Sequence, residues 1–288
     1  MRAQIQFLPD GRRLHLQDGP IDLIVEAYGS GENIEAAYAA ATQRFVSVLD
    51  ELCCELALLR QPVNPDSPIP RGSIARQMME AVRPFAREHF ITPMAAVAGA
   101  VAENILCTMT NTTRLTKAYV NNGGDIAIHL SRGERFKVGM VDRPDCPSLF
   151  GMASLDWVQP VRGMATSGWR GRSFSLGIAD AVTVLADRAA IADAAATIIA
   201  NAVDLPGHSA IFRVPARELA PDSDLGDIKV TQYVGDLSLD DVANALDAGE
   251  QVAEVLAQRG LIHSAALRLN DETRIVAHDK CAGRLAHA

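Results

Sequence analysis

Asp193, Thr197 and Asn201 stand four residues apart in ADAAATIIANA, and residues with that spacing lie one above another on a helix. A carboxylate and a hydroxyl one turn apart are oxygen ligands for a hard cation such as Mg²⁺, whose remaining positions waters or phosphates fill. On an ordinary surface helix the same stripe would simply be solvated. Here Ala190, Ala194, Ala196 and Ala200 surround it, and a helix apolar nearly all round is a buried one. Asp193 is the only charge between Arg188 and Asp204. Burying it requires a cation, a set of donors or a raised pKa. A metal ion and a structural Arg or Lys both meet that need, and spacing does not choose between them.

Two further stretches carry polar groups in apolar surroundings. Asn121-Asn122-Gly123-Gly124-Asp125 interrupts the apolar pattern of Tyr119 to Leu130. Asn-Gly is a strong hairpin signal, whereas glycines within a strand let a ligand approach the backbone. Thr166, Ser167 and Gly168 read as a small polar turn, whose hydroxyls either cap the backbone or bind a ligand. Arg162, Arg170 and Arg172 flank that turn and have the fork geometry that suits phosphate or carboxylate. With a metal at Asp193 they would complete a pyrophosphate clamp. ATSGW is not a GxSxG nucleophile elbow, and neither a GxxxxGK[ST] loop nor an HExxH pair occurs. The seven histidines are scattered.

The elements that must position these groups follow from periodicity. Gln4–Leu8 and Arg12–Gln17 read as a hairpin, Ile21–Tyr28 as a third strand, and the residues after Gly29-Ser30-Gly31 as one long helix to about Leu59. The strand, GxG and helix suggest a dinucleotide fold, but Ile34 occupies the third glycine position and no strand follows at βαβ spacing. The proline-rich segment 61–71 is a loop. Ser73–His89 reads as a helix, and Thr92-Pro93 starts another, built from Ala and Gly. Arg135–Met140 is a strand, and 141–147 a loop. The central stretch reads as strand, turn, strand (Ala181–Ala186) and helix to about Ala202, with Asp187 at the capping position. Leu205–Gly226 reads as loop, Ser238 opens a capped helix to about Gln258, and Ile262–Leu269 with Thr273–His278 closes the chain as a hairpin. The fold class is α+β, with mixed or antiparallel sheets and Ala-rich buried helices, one domain over residues 1–288 with two lobes.

Composition limits the function classes. The 27 Lys and Arg against 35 Asp and Glu leave a net charge of −8, which disfavours nucleic-acid binding through a basic footprint. Five cysteines, an odd number without CxxC spacing, suit a reducing compartment and no zinc site. The N-terminus lacks the apolar run of a signal peptide, and Pro93–Ala102 is too short to span a bilayer. These features predict a cytoplasmic protein without membrane or nucleic-acid partners, with a small-molecule ligand and a homo-oligomer as partner classes.

Several motifs resemble the ApbE superfamily, whose best-known members are FAD-dependent FMN transferases. ATSG at Ala165–Gly168, VTVLA at Val182–Ala186 and ADAAAT at Ala192–Thr197 look like its C-terminal signature; NNGGDI at Asn121–Ile126 resembles its double-glycine strand, and GAVAEN at Gly99–Asn104 its Gly-Ala-Ile-Ala-Lys-Gly helix. PMAAVAGAVAE, NNGGDI and GIADAVTV in that order are closer to an uncharacterised ApbE-like subfamily. The resemblance covers about residues 90–203. It implies Mg²⁺ held by Asp193, Thr197 and a backbone carbonyl near Ala102. It also implies FAD or FMN contacts at Asn122, Gly123, Gly124, Asp125, Thr166, Ser167 and Gly168, with FAD pyrophosphate cleavage or FMN transfer as the chemistry, and it favours the ligand-strand reading of the glycines. The family's Lys is replaced by Glu103. Its His-Ile-Ile-Asp-Pro-x-Thr-Gly segment is absent, with only Trp169 to Asp180 in its place. The departures keep open a second class, a non-catalytic ligand-binding or assembly protein on the same fold.

Overall fold

A computed structural model describes residues 3–141, 149–277 and 284–287 of the chain. Strands β1 (Gln4–Phe7), β2 (Leu14–Asp18) and β3 (Ile21–Tyr28) form an antiparallel meander. Its sharp turns place Gly11 and Gly19 at φ +67° and +56°, where glycine carries no steric cost. Leu14, Leu16, Leu23 and Val25 alternate onto one buried face, as a half-covered sheet requires. Helix α1 (Gly31–Phe45) opens with the Ser30 hydroxyl accepting the Asn33 N–H. Since β3 is flanked by antiparallel neighbours β2 and, from further along the chain, Lys117–Asn122, the strand, GxG and helix do not form a βαβ unit.

The long helix expected as far as Leu59 is three helices: α1, α2 (Val48–Cys54) and α3 (Leu56–Leu59). Side chains hold both bends. Arg44 grips Glu51 at 2.8 and 2.7 Å and Ser47 at 2.9 Å, while Glu55 accepts the N–H groups of Arg71 and Gly72 at 2.7 and 2.6 Å. Helix α4 (Ser73–Val82) also stops short of the expected His89; Pro84 lacks an N–H and constrains the residue before it. Thr92 does cap the next element, accepting the Met94 N–H at 3.2 Å, but residues 93–96 form a 3₁₀ turn before α5 (Val97–Thr112). The stretch 93–112 is long and apolar enough to cross a bilayer by length and composition, contrary to the reading of 93–102 alone, and half of it is buried inside the protein.

Strands β4 (Lys117–Asn122) and β5 (Asp125–Leu130) form a tight hairpin, and α5 packs on both. β6 (Arg135–Val141), β7 (Leu149–Asp156), β8 (Gly163–Ser167) and β9 (Ala181–Ala186) lead to α6 (Ala189–Ala202). The loop expected at 141–147 lies almost wholly outside the described residues, as do Cys146, Cys281 and His278. The segment expected to be loop from Leu205 to Gly226 contains β10 (Ile211–Pro215) and a short α7 (Ala216–Leu219), because β10 pairs antiparallel with β11 (Lys229–Val234) across a bulge. Helix α8 (Leu239–Gln258) has the expected capping box between Ser238 and Asp241. It packs on β12 (Ser264–Leu269) and β13 (Glu272–Ala277), and β14 (Arg284–His287) pairs with β7.

The chain divides into two compact units, Met1–Phe136 with Asp156–Ala165 and Asp187–Asp193, and Lys137–Leu155 with Thr166–Ala186 and Ala194–Ala288. In the first, β1 to β5 are neighbours in chain order and β8 joins β5 through Ile126↔Met164; Leu16, Leu23, Phe45, Val101 and Ile105 form a dry core. In the second, β12 lies between β9 and β13, and Val242, Leu246 and Leu256 of α8 are buried with Leu267. Every residue of β9 is buried, so this strand is covered on both faces, and its Thr183 hydroxyl shares a hydrogen bond with Thr166 at 2.9 Å.

Gly163 sets how closely β8 approaches the start of α6: a Cβ there would overlap the backbone of Arg188 and Ala189. Gly163→Ala is expected to destabilise the fold by about 2 kcal/mol or more through overpacking against backbone that cannot yield. Urea unfolding tests this, and an unchanged midpoint would show that the contact is not tight.

Candidate functional site

Helix α5 begins with N–H groups that have no intrahelical acceptor, and a side chain from another helix meets them. The Asp193 carboxylate, in the first half of α6, accepts the Gly99 N–H at 3.0 Å and also the Ala98 N–H. The positive end of the α5 dipole favours the charged form there. Loss of surrounding water outweighs it although the residue is partly accessible, and the neighbouring Asp125 carboxylate adds to the effect. Together they push the Asp193 carboxyl well above the usual carboxylate range, against the two amide donors. Of the ways to accommodate Asp193 considered from sequence, a set of donors and a raised pKa are both present.

The same helix pair is tied in the opposite direction. Glu103, from the second turn of α5, accepts the Ala190 N–H in the first turn of α6 at 3.1 Å, and its other oxygen takes Arg188 Nε and Nη2 at 3.2 and 2.9 Å. The acceptor for this first-turn amide is therefore Glu103, while Asp187, the expected cap, is exposed. Gly99 makes the contact possible, since a Cβ there would overlap the Ala189 carbonyl. Sequence inspection did not identify Ala98, Gly99 or Glu103 as participants. The Thr92-Pro93 start pointed to nearby free amides, but the 3₁₀ turn moves the α-helical start to Val97.

Asn121 to Asp125 forms a hairpin turn between β4 and β5, so the backbone here is not the continuous strand expected. Asn122 pairs with Asp125, and Gly123 and Gly124 sit between them at φ +65° and +115°, so both turn positions need the left-handed region that glycine tolerates. The Asn121 side chain closes the turn by accepting the Gly124 N–H at 2.8 Å. Asn122 is buried, and its Nδ2 donates to the Ala98 carbonyl at 3.3 Å. The hairpin thereby sets Asp125 near Asp193 and joins its own base to the start of α5. Nothing lies within 4 Å of where a Gly124 Cβ would be.

Ala102 lies fully buried within α5, where helix geometry commits its carbonyl to the N–H four residues on. The α5 atoms that meet Asp193 lie one turn earlier. Thr197 is one turn along α6 from Asp193 and partly accessible, as the spacing required. Asn201 has a structural task, accepting the Leu176 N–H at 2.9 Å and the Ser175 hydroxyl at 3.3 Å. Among the described residues no group of three or more His, Cys, Asp or Glu is placed to hold a metal.

In the second unit, Thr166 and Ser167 end strand β8 instead of forming a turn, and the Thr166–Thr183 bond explains why that hydroxyl is held. Gly168 follows, and a Cβ there would overlap the Asp180 carbonyl, so close packing alone accounts for glycine. The turn falls one residue later, at Trp169-Arg170. Arg170 pairs with Asp180 at 2.7 Å and stacks 4.3 Å from the centre of the Trp169 ring. In the first unit Arg162 is turned onto the carbonyls of Gln159, Val161 and Trp157 at 2.7, 2.6 and 3.0 Å. That removes it from the expected pyrophosphate clamp.

A family model described as "AbpE bacteria" matches residues 5–275. Among curated proteins, the chain is 41% identical over 129 residues to a UPF0280 protein of Methanopyrus kandleri, covering 44% of this chain and 48% of that one. It is 34% identical over 160 residues to a UPF0280 protein of Methanococcus vannielii, covering 54% and 64%. The chain spans about half the length of the curated relatives it matches. Among solved structures, the apo form of the flavinyl transferase ApbE from Pseudomonas stutzeri aligns over 96% of this chain and 95% of its own, at 12% identity and a TM-score of 0.47.

Two expected outcomes follow from the geometry. Gly124→Ala places a methyl in open space but strains a φ of +115°, so a loss of about 1 kcal/mol is expected in thermal melting; no loss would show that the turn is not strained. Asp193 holds its proton more tightly folded than unfolded, so its contribution to stability is full below the ordinary Asp value of 3.8 and is lost as pH rises through the higher folded value. Asp193→Asn mimics the protonated form, and in metal-free buffer it should melt higher than the wild type at neutral pH. A lower melting temperature would overturn that assignment.

Proposed function

Because the chain belongs to the family described as AbpE bacteria, we propose that it is an ApbE-like metal-dependent protein acting on a flavin or another phosphate-containing small molecule. The observation that carries this reading is the pair of neighbouring carboxylates, Asp125 and Asp193, set at the start of α5 with two amides fixed on one of them. A carboxylate whose proton affinity is raised by a second carboxylate beside it is relieved by a divalent cation. Mg²⁺ is commonly held by one or two carboxylates, with waters and substrate phosphates completing its shell. The Thr197 hydroxyl, on the same face of α6, suits the same hard-oxygen set.

In this reading Asp193 is the anchor. The amides of Ala98 and Gly99 orient its carboxylate before any ligand arrives, and Asn122 ties the hairpin that carries Asp125 to the Ala98 carbonyl. When bound, Mg²⁺ would act as a Lewis acid on a phosphoryl oxygen, the requirement for cleaving FAD at its pyrophosphate or transferring FMN. Asn122, Gly123, Gly124 and Asp125 are assigned to ligand contact, the glycines through the open space beside the turn. Thr166, Ser167 and Gly168 carry the same assignment from the family motif. A carbonyl ligand near Ala102 is better sought in the residues before the body of α5.

A second reading, a ligand-binding protein without turnover, is favoured by one observation. Arg162 and Arg170 are already committed, to three backbone carbonyls and to Asp180, so neither offers a free guanidinium to a diphosphate.

Mg²⁺ or Mn²⁺ at about 100 times its dissociation constant should stabilise the protein by about 2.7 kcal/mol, and Asp193→Asn should abolish the shift. An equal shift in that variant would move the cation elsewhere. Incubation with FAD and Mg²⁺ then separates the two readings. AMP released above a control without protein supports the enzyme, and FAD binding without AMP supports the binding protein.

A further inference from the structure

The two carboxylates exchanged between α5 and α6 do different things. Asp193 meets the amides at the start of α5 and is the candidate anchor, whereas Glu103 meets the start of α6 and binds Arg188 and Ala190. Asp193 is only three residues beyond Ala190, so whatever fixes the first turn of α6 also fixes where the Asp193 side chain departs. Arg188 also faces Glu80, at 4.0 Å. Ala189, Ala190 and Ala192 present only methyl groups, and the absence of a Cβ at Gly99 and Gly163 brings neighbouring backbone against Arg188, Ala189 and Ala190. Glu103 is mostly shielded, its side chain 14% exposed, and the Arg188 guanidinium that neutralises it is 35% exposed. Such a pair holds geometry better than an open surface pair, which contributes little.

We infer that Glu103 is the positioning residue for Asp193: by capping α6 and holding Arg188 it fixes the turn from which Asp193 reaches the Ala98 and Gly99 amides. It touches neither a ligand nor a reacting atom. The part of this inference that concerns a cation rests on the metal reading above, and the part that concerns the amide contacts does not.

The test is amide hydrogen exchange by NMR on the full chain, paired with Mn²⁺ titration followed by electron paramagnetic resonance. In Glu103→Ala, Ala98, Gly99 and Ala190 are expected to exchange about tenfold faster or more, as befits the loss of hydrogen bonds to a charged acceptor, while amides in α8 keep their wild-type rates. Glu103→Gln retains an oxygen for the Ala190 N–H and should return Gly99 most of the way to the wild-type rate, a rescue that general loosening would not give. If Glu103→Ala fails to fold, Glu103→Asp decides. Its side chain is one methylene shorter and cannot hold both Arg188 and Ala190, so faster exchange at Ala98 and Gly99 is again expected. Wild-type exchange at Ala98 and Gly99 in the variant that folds would overturn the inference. Mn²⁺ affinity should fall about tenfold in Glu103→Ala and vanish in Asp193→Asn. Faster exchange with no Mn²⁺ bound by the wild type would sink the metal reading and leave the positioning role standing, whereas Mn²⁺ binding by the wild type with exchange unchanged in Glu103→Ala would do the reverse.

Discussion

Two helices that each lack acceptors for their first amides are capped by each other. Asp193 of α6 accepts from Ala98 and Gly99 of α5, and Glu103 of α5 accepts from Ala190 of α6. Ala96 and Arg188 stand immediately before the two helices, and neither is a residue type that caps with a side-chain oxygen, so distant carboxylates serve these amides. Small residues are the condition of the exchange. A carboxylate on one helix reaches the other's first turn only when the backbones nearly touch, and Gly99 and Gly163, with the alanines of α6, remove the side chains that would keep them apart.

This constraint explains the cost concentrated at Asp193. A helix made of alanine packs closely because it is apolar, and that apolarity raises the proton affinity of the single carboxylate in its first half. Asp125 adds to the strain from a hairpin held to the same place by the Asn122 bond to the Ala98 carbonyl. Structural tasks alone would be met as well by one neutral acceptor. Two neighbouring carboxylates on rigid elements, with amides already fixed on one of them, instead suit a cation brought with a phosphate-bearing ligand, and this is the physical basis of the proposed function.

Other charged residues around the shared motifs are occupied. Arg162 braces a turn through three carbonyls, and Arg170 joins Asp180, whose other oxygen accepts the Asn270 N–H at 2.8 Å. The short connection from Trp169 to Asp180 is exposed over residues 170–174 and packed from Ser175 to Ala179, with Gly168 seated against the backbone of Asp180.

Periodicity and turn chemistry determined much of the fold by themselves. The opening meander, the capped α8, the closing hairpin and the burial of α6 all follow from local patterns, because each depends on residues close in sequence. The Asp193 problem was legible for the same reason: an isolated carboxylate among alanines needs something, whatever the fold. What meets that need was not legible, since Ala98 and Gly99 lie more than ninety residues away and contribute backbone N–H groups that no side-chain pattern announces. Glu103 was visible only as a departure from a motif; its attachment to Arg188 and Ala190 exists because the N-terminal parts of α5 and α6 lie against each other. The glycines of 123–124 were balanced between turn and strand until the β4–β5 register placed both at positive φ. The bend at Glu55 and the pairing of β10 with β11 were likewise decided by contacts distant in sequence, which override the local propensity that suggested one long helix and an open loop, whereas the bend after Phe45 is held locally by Arg44, Ser47 and Glu51.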